Sequence, residues 1–317
     1  MVFSAESISM IFPAKDLFFA VRDISFPTCL VIARAHKESM PLIFGGSFKS
    51  VFLFQRKDGM VVFYKKKSEY NNFSKIIGEK MITFGEKNFT KKLIQLTDWL
   101  NEFIQKNPNG LGEKEDLFMN KYVEFFAYHQ AVFYGAEYIR TKKPSHPLLE
   151  NLNNTYKYNE TAIPNIEAYF AKTRSDKKKS VLFYEKKIEV MNNKTAEKIH
   201  SLIEKNYSKY LGNEVKGICA NEGIVQGKAR VITRLEEQSK CKKGDIVVIP
   251  QIRPQYNAIL SKVKGIITDE GGILAHAAIL CREHNIPCIV GTKNATRIIK
   301  NGDEVILNAT KGTVTKA

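Results

Sequence analysis

The stretch 265–292, GIITDEGGILAHAAILCREHNIPCIVGT, decides the fold of the C-terminal third of the chain. Its two β-branched runs enclose a pair of glycines, an apolar segment and a turn, which predicts strand, glycine loop, helix, turn and strand. Gly271 and Gly272 lack a Cβ, so the backbone can turn sharply there and approach a ligand closely. We expect the helix to start at about 274–276.

His276 is predicted to lie at the start of this helix. The first turn of a helix has amide N–H groups without intrahelical partners and carries the positive end of the helix dipole, so it stabilises an anion. Neutral imidazole is a good nucleophile near pH 7 and can pass a phosphoryl group onward. The residues therefore favour a phosphoryl carrier, but spacing alone leaves open a histidine that caps or packs at the helix start.

Beyond this stretch, β-branched runs separated by glycine turns continue on both sides, at 229–233, 245–249, 304–307 and 313–315. These runs predict a C-terminal domain over 212–317.

The segments TDEGG at 268–272, HAAI at 276–279 and IPCIVGT at 286–292 resemble the phosphohistidine swivelling domain, which is the mobile domain of PEP-utilising enzymes. That domain occurs in phosphoenolpyruvate synthase, pyruvate phosphate dikinase, rifampicin phosphotransferase and enzyme I of the sugar phosphotransferase system. Residues 223–231 and 244–248 resemble its opening strands. The resemblance implies a swivelling β/β/α fold for 212–317.

The resemblance also implies that His276 is the phosphoryl acceptor and that Gly271, Gly272 and Ala275 shape the phosphate loop. Many relatives carry threonine two places before the histidine and serine or cysteine one place before it. Here the residues are Leu274 and Ala275, so a hydroxyl that could donate a hydrogen bond to the phosphate is missing.

Arg282, Thr292 and Gln255 are candidates either for contact with phosphate or for a structural role. Arg282 falls nearly two helical turns after His276, and arginine suits both ion pairs and phosphate, so we favour a structural role there. Gln255 belongs to 254–256, which resembles the loop that faces the histidine.

Complete enzymes of this family also carry an ATP-grasp domain, and several carry a barrel. Residues 1–205 contain neither a glycine-rich phosphate loop nor a strand-helix series long enough for a barrel. The resemblance thus implies a phosphotransferase subunit that binds no metal or cofactor directly. ATP or phosphoenolpyruvate, with Mg, would act through a partner protein, and an ATP-grasp nucleotide-binding protein or domain in trans is the expected partner. Pyruvate or a small hydroxyl compound would be the acceptor. The alternative is a non-catalytic binding or regulatory module that retains the swivelling fold.

The sequence before residue 212 predicts a small mixed α/β region at 1–85 and a helical region with a linker at 86–211. The complete chain is therefore expected to be an α+β multidomain protein. Runs at 28–33, 50–54 and 60–64 read as strands, the last two as a hairpin around a turn at 57–59. Apolar spacings of three and four predict helices over 89–103 and 118–133, and a further helix is expected around 195–210. Linkers are expected at 172–179 and at 212–213, and His129, on the second apolar stripe, receives no role.

Composition restricts the function classes. The net charge of +16 comes chiefly from lysine and would suit nucleic acid, a solvated surface or an acidic partner. Nucleic acid is disfavoured because no helix-turn-helix, zinc-finger or aromatic RNA-binding motif is present. The five scattered cysteines predict reduced thiols. Without a long apolar run or a secretory signal, a cytoplasmic protein outside the membrane is expected.

Overall fold

The computed structural model describes residues 5–22, 24–56, 60–160, 162–173, 179–211, 215–252, 256–271 and 276–317. They divide into two compact units, Met1–Tyr207 and Ser208–Ala317. Within the described part of the chain, no helix has both the length and the apolar character needed to cross a membrane. All five cysteines are free thiols, and four of them are buried.

The first unit is a mixed sheet-and-helix structure. Its helices are α1 Ala5–Ile11, α2 Phe26–Arg34, α3 Met40–Phe44, α4 Lys67–Phe84, α5 Lys87–Lys106, α6 Glu115–Lys142, α7 Leu148–Glu160, α8 Ala162–Thr173 and α9 Asn193–Leu211. Its strands are β1 Leu17–Arg22, β2 Ser50–Gln55, β3 Val61–Lys66, β4 Ser180–Tyr184 and β5 Lys187–Met191. The strands form one antiparallel sheet in the order β1-β3-β2-β4-β5.

The hairpin predicted from 50–54 and 60–64 is confirmed, because β2 and β3 pair antiparallel with Leu53 opposite Phe63. Its turn at 57–59 lies outside the described residues. The strand predicted at 28–33 is wrong, since these residues belong to α2. Pro27 lies in the first turn of α2, and the helix is buried over most of its length. A short, uniformly apolar run cannot distinguish a strand from a fully buried helix by its periodicity.

The helices predicted over 89–103 and 118–133 are confirmed as α5 and α6, and the helix expected around 195–210 is confirmed as α9. His129 lies in the aromatic core of the unit, where its ring stacks on Phe125 and Tyr156 at centroid distances of 5.6 and 5.0 Å. Of the linker expected at 172–179, residues 174–178 lie outside the described residues, and so does the whole of the linker expected at 212–213.

One hydrophobic core extends from Ala20 to Phe183, so it crosses the boundary between 85 and 86 that the sequence indicated. The sheet crosses it as well, because β2 from the first region pairs with β4 from the second. The two expected regions thus form one compact unit, since neither buries its apolar face without the other.

The second unit is built on an eight-stranded sheet in the order β6-β13-β12-β8-β9-β10-β11-β7. Its strands are β6 Val215–Lys216, β7 Ile218–Asn221, β8 Ile224–Val231, β9 Ile246–Ile249, β10 Gly265–Thr268, β11 Cys288–Val290, β12 Glu304–Asn308 and β13 Thr313–Lys316. Its helices are α10 Asn257–Leu260, α11 His276–Glu283 and α12 Ala295–Ile298. The strands predicted from the β-branched runs are therefore present.

The two ends of this sheet are joined by one residue. β6 pairs with β13 at one end of the strand order and β7 pairs with β11 at the other, yet only Gly217 separates β6 from β7. The sheet therefore closes on itself, like a small barrel.

The central strands of this closed sheet are buried on both faces. Ile246 and Val248 of β9 belong to one core cluster, whereas Val247 and Ile249 belong to another that includes residues of α10 and α11. Alternate residues of a strand point to opposite faces, so the uniformly apolar run in β9 reflects two cores rather than one.

We expect Gly217→Ala to destabilise the second unit by about 1–3 kcal/mol, as overpacking of a well-filled interior does. A Cβ at Gly217 would lie 2.4 Å from Ile289 Cγ2 and 2.7 Å from the Val290 carbonyl oxygen. Urea unfolding followed by far-ultraviolet circular dichroism measures the effect. Lys216→Ala, at an exposed neighbouring position, is the control, and equal unfolding midpoints for the two variants would contradict the tight closure.

Candidate functional site

The candidate site lies at one edge of the closed sheet. β10 pairs in parallel with β9 on one side and with β11 on the other. The carboxyl ends of parallel strands meet at the same edge, so the segments that follow these three strands converge there. The segment after β10 leads to α11, whose first residue is His276. Strand, helix, turn and strand thus follow one another in the predicted order, and most of the predicted glycine loop, residues 272–275, lies outside the described residues.

Several predicted site residues fall outside the described residues. These are Gly272, Ala275 and Gln255, and the side chain of His276 is also outside the description. Gly271 is described and has φ 104°, a backbone conformation that L side chains rarely adopt. Residues 268–271 lead from the end of β10 into this loop and form its base.

Asp269 is the first residue after β10, and its carboxylate is only 3% exposed. Oδ1 accepts hydrogen bonds from Thr292 Oγ1 at 3.0 Å and from the backbone N of Thr296 at 3.3 Å. Oδ2 accepts a hydrogen bond from Thr296 Oγ1. The carboxylate thus joins the base of the histidine loop to α12 and to the segment that leads into it.

Thr292, a predicted candidate for phosphate contact, is buried at the base of the loop with 3% exposure. Its backbone N donates to the Thr268 carbonyl oxygen at 3.0 Å. Its Oγ1 lies 3.1 Å from the same carbonyl oxygen and 3.0 Å from Asp269 Oδ1, both of them acceptors. In this geometry, the Thr292 hydroxyl supports the end of β10.

The two loops also meet through their backbones. Lys293 N donates to the Asp269 carbonyl oxygen at 3.0 Å, and Asp269 N donates to the Ile249 carbonyl oxygen at 3.2 Å. Gly291 has φ 73°, and a Cβ there would lie 2.8 Å from the Gly271 carbonyl oxygen. Residue 291 must therefore be glycine for the two loops to approach this closely.

Arg282 lies in the last turn of α11, and its side chain is on the exposed surface. Its Nη1 donates a hydrogen bond to the Ala220 carbonyl oxygen at 3.2 Å. Because Ala220 belongs to β7, this contact fastens the C-terminal end of α11 to the sheet. The structure therefore brings Thr292 to the base of the loop but places Arg282 at the opposite end of the helix from His276.

Burial raises the pKa of the Asp269 carboxyl above its ordinary value, because an ionised carboxylate is costly to remove from water. The hydrogen bonds from Thr296 and Thr292 and the charge of Arg297 lower this pKa, but by less than burial raises it. Ionisation of Asp269 therefore lowers the stability of the folded chain relative to the unfolded chain.

The sequence interpretation assigned no role to Asp269 or Thr296, although Asp269 lies in the quoted motif at 268–272. A carboxylate is ordinarily exposed, so nothing in the composition indicates that this one is buried. The available signal was its position, directly after a uniformly apolar strand and before the glycine pair.

Residues 241–312 match the family model described as the PEP-utilising enzyme, mobile domain. The recognition of this domain from the sequence is confirmed. A probable phosphoenolpyruvate synthase of Methanothermobacter thermautotrophicus is 41% identical over 100 residues, which are 32% of this chain and 15% of the relative. Rifampicin phosphotransferase of Bacillus cereus is 35% identical over 98 residues, which are 31% of this chain and 11% of the relative.

The match to these curated relatives therefore spans less than a sixth of their own length. Among solved structures, the NMR solution structure of an Enzyme I (nEIt) protein is 14% identical with a TM-score of 0.30, and the alignment covers 95% of this chain and 85% of that one. The matching relatives support a phosphotransfer role for the C-terminal region.

The buried carboxylate predicts a pH dependence that Asp269→Asn removes. The folded-state pKa lies above the ordinary value of 3.8, so the folded state binds this proton more tightly than the unfolded chain does. The stability that the proton adds is complete below the unfolded pKa and is lost as the pH rises through the folded pKa. We therefore compare the free energies of unfolding of the wild type and Asp269→Asn. The difference, wild type minus variant, should fall as the pH rises from about 4 to about 7.

Urea unfolding of both proteins at several pH values, followed by circular dichroism, tests this. The hydrogen bonds lost in the variant add only an offset that does not change with pH. Fluorescence of Trp99, the single tryptophan, reports the first unit and serves as the internal control. A difference that rises with pH would contradict the raised pKa.

Proposed function

We propose that this chain is a phosphotransferase component that carries a phosphoryl group on His276 between a separate donor protein and an acceptor. The observation that carries the proposal is the position of His276, which is the first residue of α11 directly after the glycine loop and lies inside the segment that matches the mobile domain. The phosphoryl donor is ATP, held with Mg by an ATP-grasp nucleotide-binding protein or domain in trans, or phosphoenolpyruvate, delivered through a phosphoenolpyruvate-dependent partner protein. The acceptor is pyruvate or a small hydroxyl compound.

The chemistry consists of two transfers. In the first, an imidazole nitrogen of His276 attacks phosphorus, a P–N bond forms, and the P–O bond to the donor breaks. In the second, the acceptor oxygen attacks the same phosphorus, a P–O bond forms, and the P–N bond breaks to regenerate the imidazole. The amide N–H groups at the start of α11 favour the negative charge that the phosphoryl group brings.

The first unit supplies no residue to this proposal. Complete enzymes of the family that the sequence resembles also carry ATP-grasp and barrel domains. The matched segment covers only part of the relatives, so the donor and the acceptor are proposals for this chain.

A cytoplasmic location is also proposed, since free cysteines persist in reducing compartments.

A second candidate function is a non-catalytic binding or regulatory module that retains the fold. Ala275, which stands where many relatives have serine or cysteine, favours it. Such a module would keep the strand, loop and helix without accepting a phosphoryl group.

Phosphorylation of the purified chain distinguishes the two functions. With radiolabelled ATP or phosphoenolpyruvate, Mg and a candidate ATP-grasp partner, we expect an acid-labile, alkali-stable label, as P–N bonds give. His276→Ala should abolish it. His284→Ala, which removes an exposed histidine just after the end of α11, should retain it in full.

Label that persists in His276→Ala would contradict the assignment of the acceptor. Absence of label with every donor and partner would favour the binding module.

A further inference from the structure

We propose that Asp269 is a positioning residue whose carboxylate holds the base of the His276 loop and thereby sets the rate at which His276 accepts a phosphoryl group. This inference rests on the proposed function of His276. It concerns a residue that is itself buried directly after β10, so Asp269 acts through the backbone rather than on the phosphorus.

The first argument is the number of elements that the side chain joins. Asp269 follows β10, Thr292 follows β11, and Thr296 lies in α12. Hydrogen bonds from both threonines end on the one carboxylate. Because a carboxylate accepts on both oxygens, it can accept all three of these hydrogen bonds at once, whereas a hydroxyl oxygen has two lone pairs and an aliphatic side chain accepts none.

The second argument is the backbone on either side. Asp269 N is bonded to Ile249 O, and Glu270 N is bonded to Pro250 O at 2.9 Å, so the start of the loop also lies against the end of β9. The chain then leaves this fixed base and reaches His276 through residues 270–275. We take the position of His276 to depend on this base, because only residues 270–275 separate Asp269 from His276 in the sequence.

The third argument is energetic. A buried ionised carboxylate lowers the stability of the fold unless its interactions offset the loss of hydration. Proteins in which buried charged groups are replaced by neutral side chains of similar volume are often as stable as the original, or more stable. Burial here outweighs the hydrogen bonds in its effect on the pKa of Asp269. Residues that violate a stability rule in this way are found preferentially at functional sites.

The test uses phosphoramidate, a small phosphoryl donor that needs no partner protein. An imidazole nitrogen attacks its phosphorus, the new P–N bond forms, and the original P–N bond breaks with release of ammonia. The full chain is incubated with phosphoramidate, and phosphohistidine is followed by intact-mass spectrometry, with ³¹P NMR to identify the product. All rates are compared at a temperature where circular dichroism shows every variant folded.

We expect Asp269→Asn to reduce the rate of phosphorylation at His276 by about tenfold, since small displacements of a reacting group have effects of this size or larger. The matched control is Asp245→Asn. Asp245 is also buried, with 5% exposure, and its Oδ2 accepts from Arg230 Nε at 3.2 Å and Lys242 N at 3.0 Å. It precedes β9, at the opposite edge of the parallel strands, so its loss should lower stability and leave the phosphorylation rate unchanged.

A second pair of variants covers the case in which Asp269→Asn does not fold. Thr296→Val removes the hydroxyl that donates to Asp269 Oδ2 while keeping the size of the side chain, and Thr296→Ser restores the hydroxyl. We expect the valine variant to be slow and the serine variant to recover the wild-type rate. A merely structural role would make the rates follow stability, regardless of the hydroxyl.

Wild-type rates in Asp269→Asn, or in Thr296→Val where Asp269→Asn does not fold, would overturn the inference. An equal loss in Asp245→Asn would also overturn it, because the effect would then be general instability. Failure of the proposed function appears differently, as equal phosphorylation of the wild type and His276→Ala.

Discussion

The parallel alignment of β9, β10 and β11 is the constraint on which the second unit and its site depend. It brings the segments after all three strands to one edge, where Asp269 bonds backward to the end of β9 and forward to the segment after β11. The alignment is fixed because these strands are buried on both faces. A shift of one residue would exchange the side chains between the two cores, so both cores would have to repack.

The sheet of the second unit could be predicted from the sequence because its strands are short β-branched runs between glycine turns. The position of His276 at the helix start followed from the same pattern, and the resemblance supplied its chemistry. Long-range pairing could not be predicted in the same way. β2 and β4 are neighbours in the sheet although a helical region separates them in the chain, and no local pattern records which distant strands pair.

The helix α2 and the role of Asp269 could not be predicted from the sequence, for physical reasons. The run that became α2 is apolar on all sides, so it carries no period by which a helix differs from a strand. Asp269 is a charged residue in a buried position, and its partners Thr292 and Thr296 come from another loop. Composition and spacing describe which side chains are apolar, but they do not show which polar side chains will meet after folding.

The closure of the sheet at Gly217 has a consequence for how such a unit can be combined with others. Val215, where the sheet begins, lies opposite Val314, so the chain enters and leaves the fold on adjacent strands. A unit with neighbouring ends can be inserted into a surface loop of a host protein with little disturbance to either. A unit of this architecture is therefore suited to insertion, as a complete domain, into proteins many times its own length.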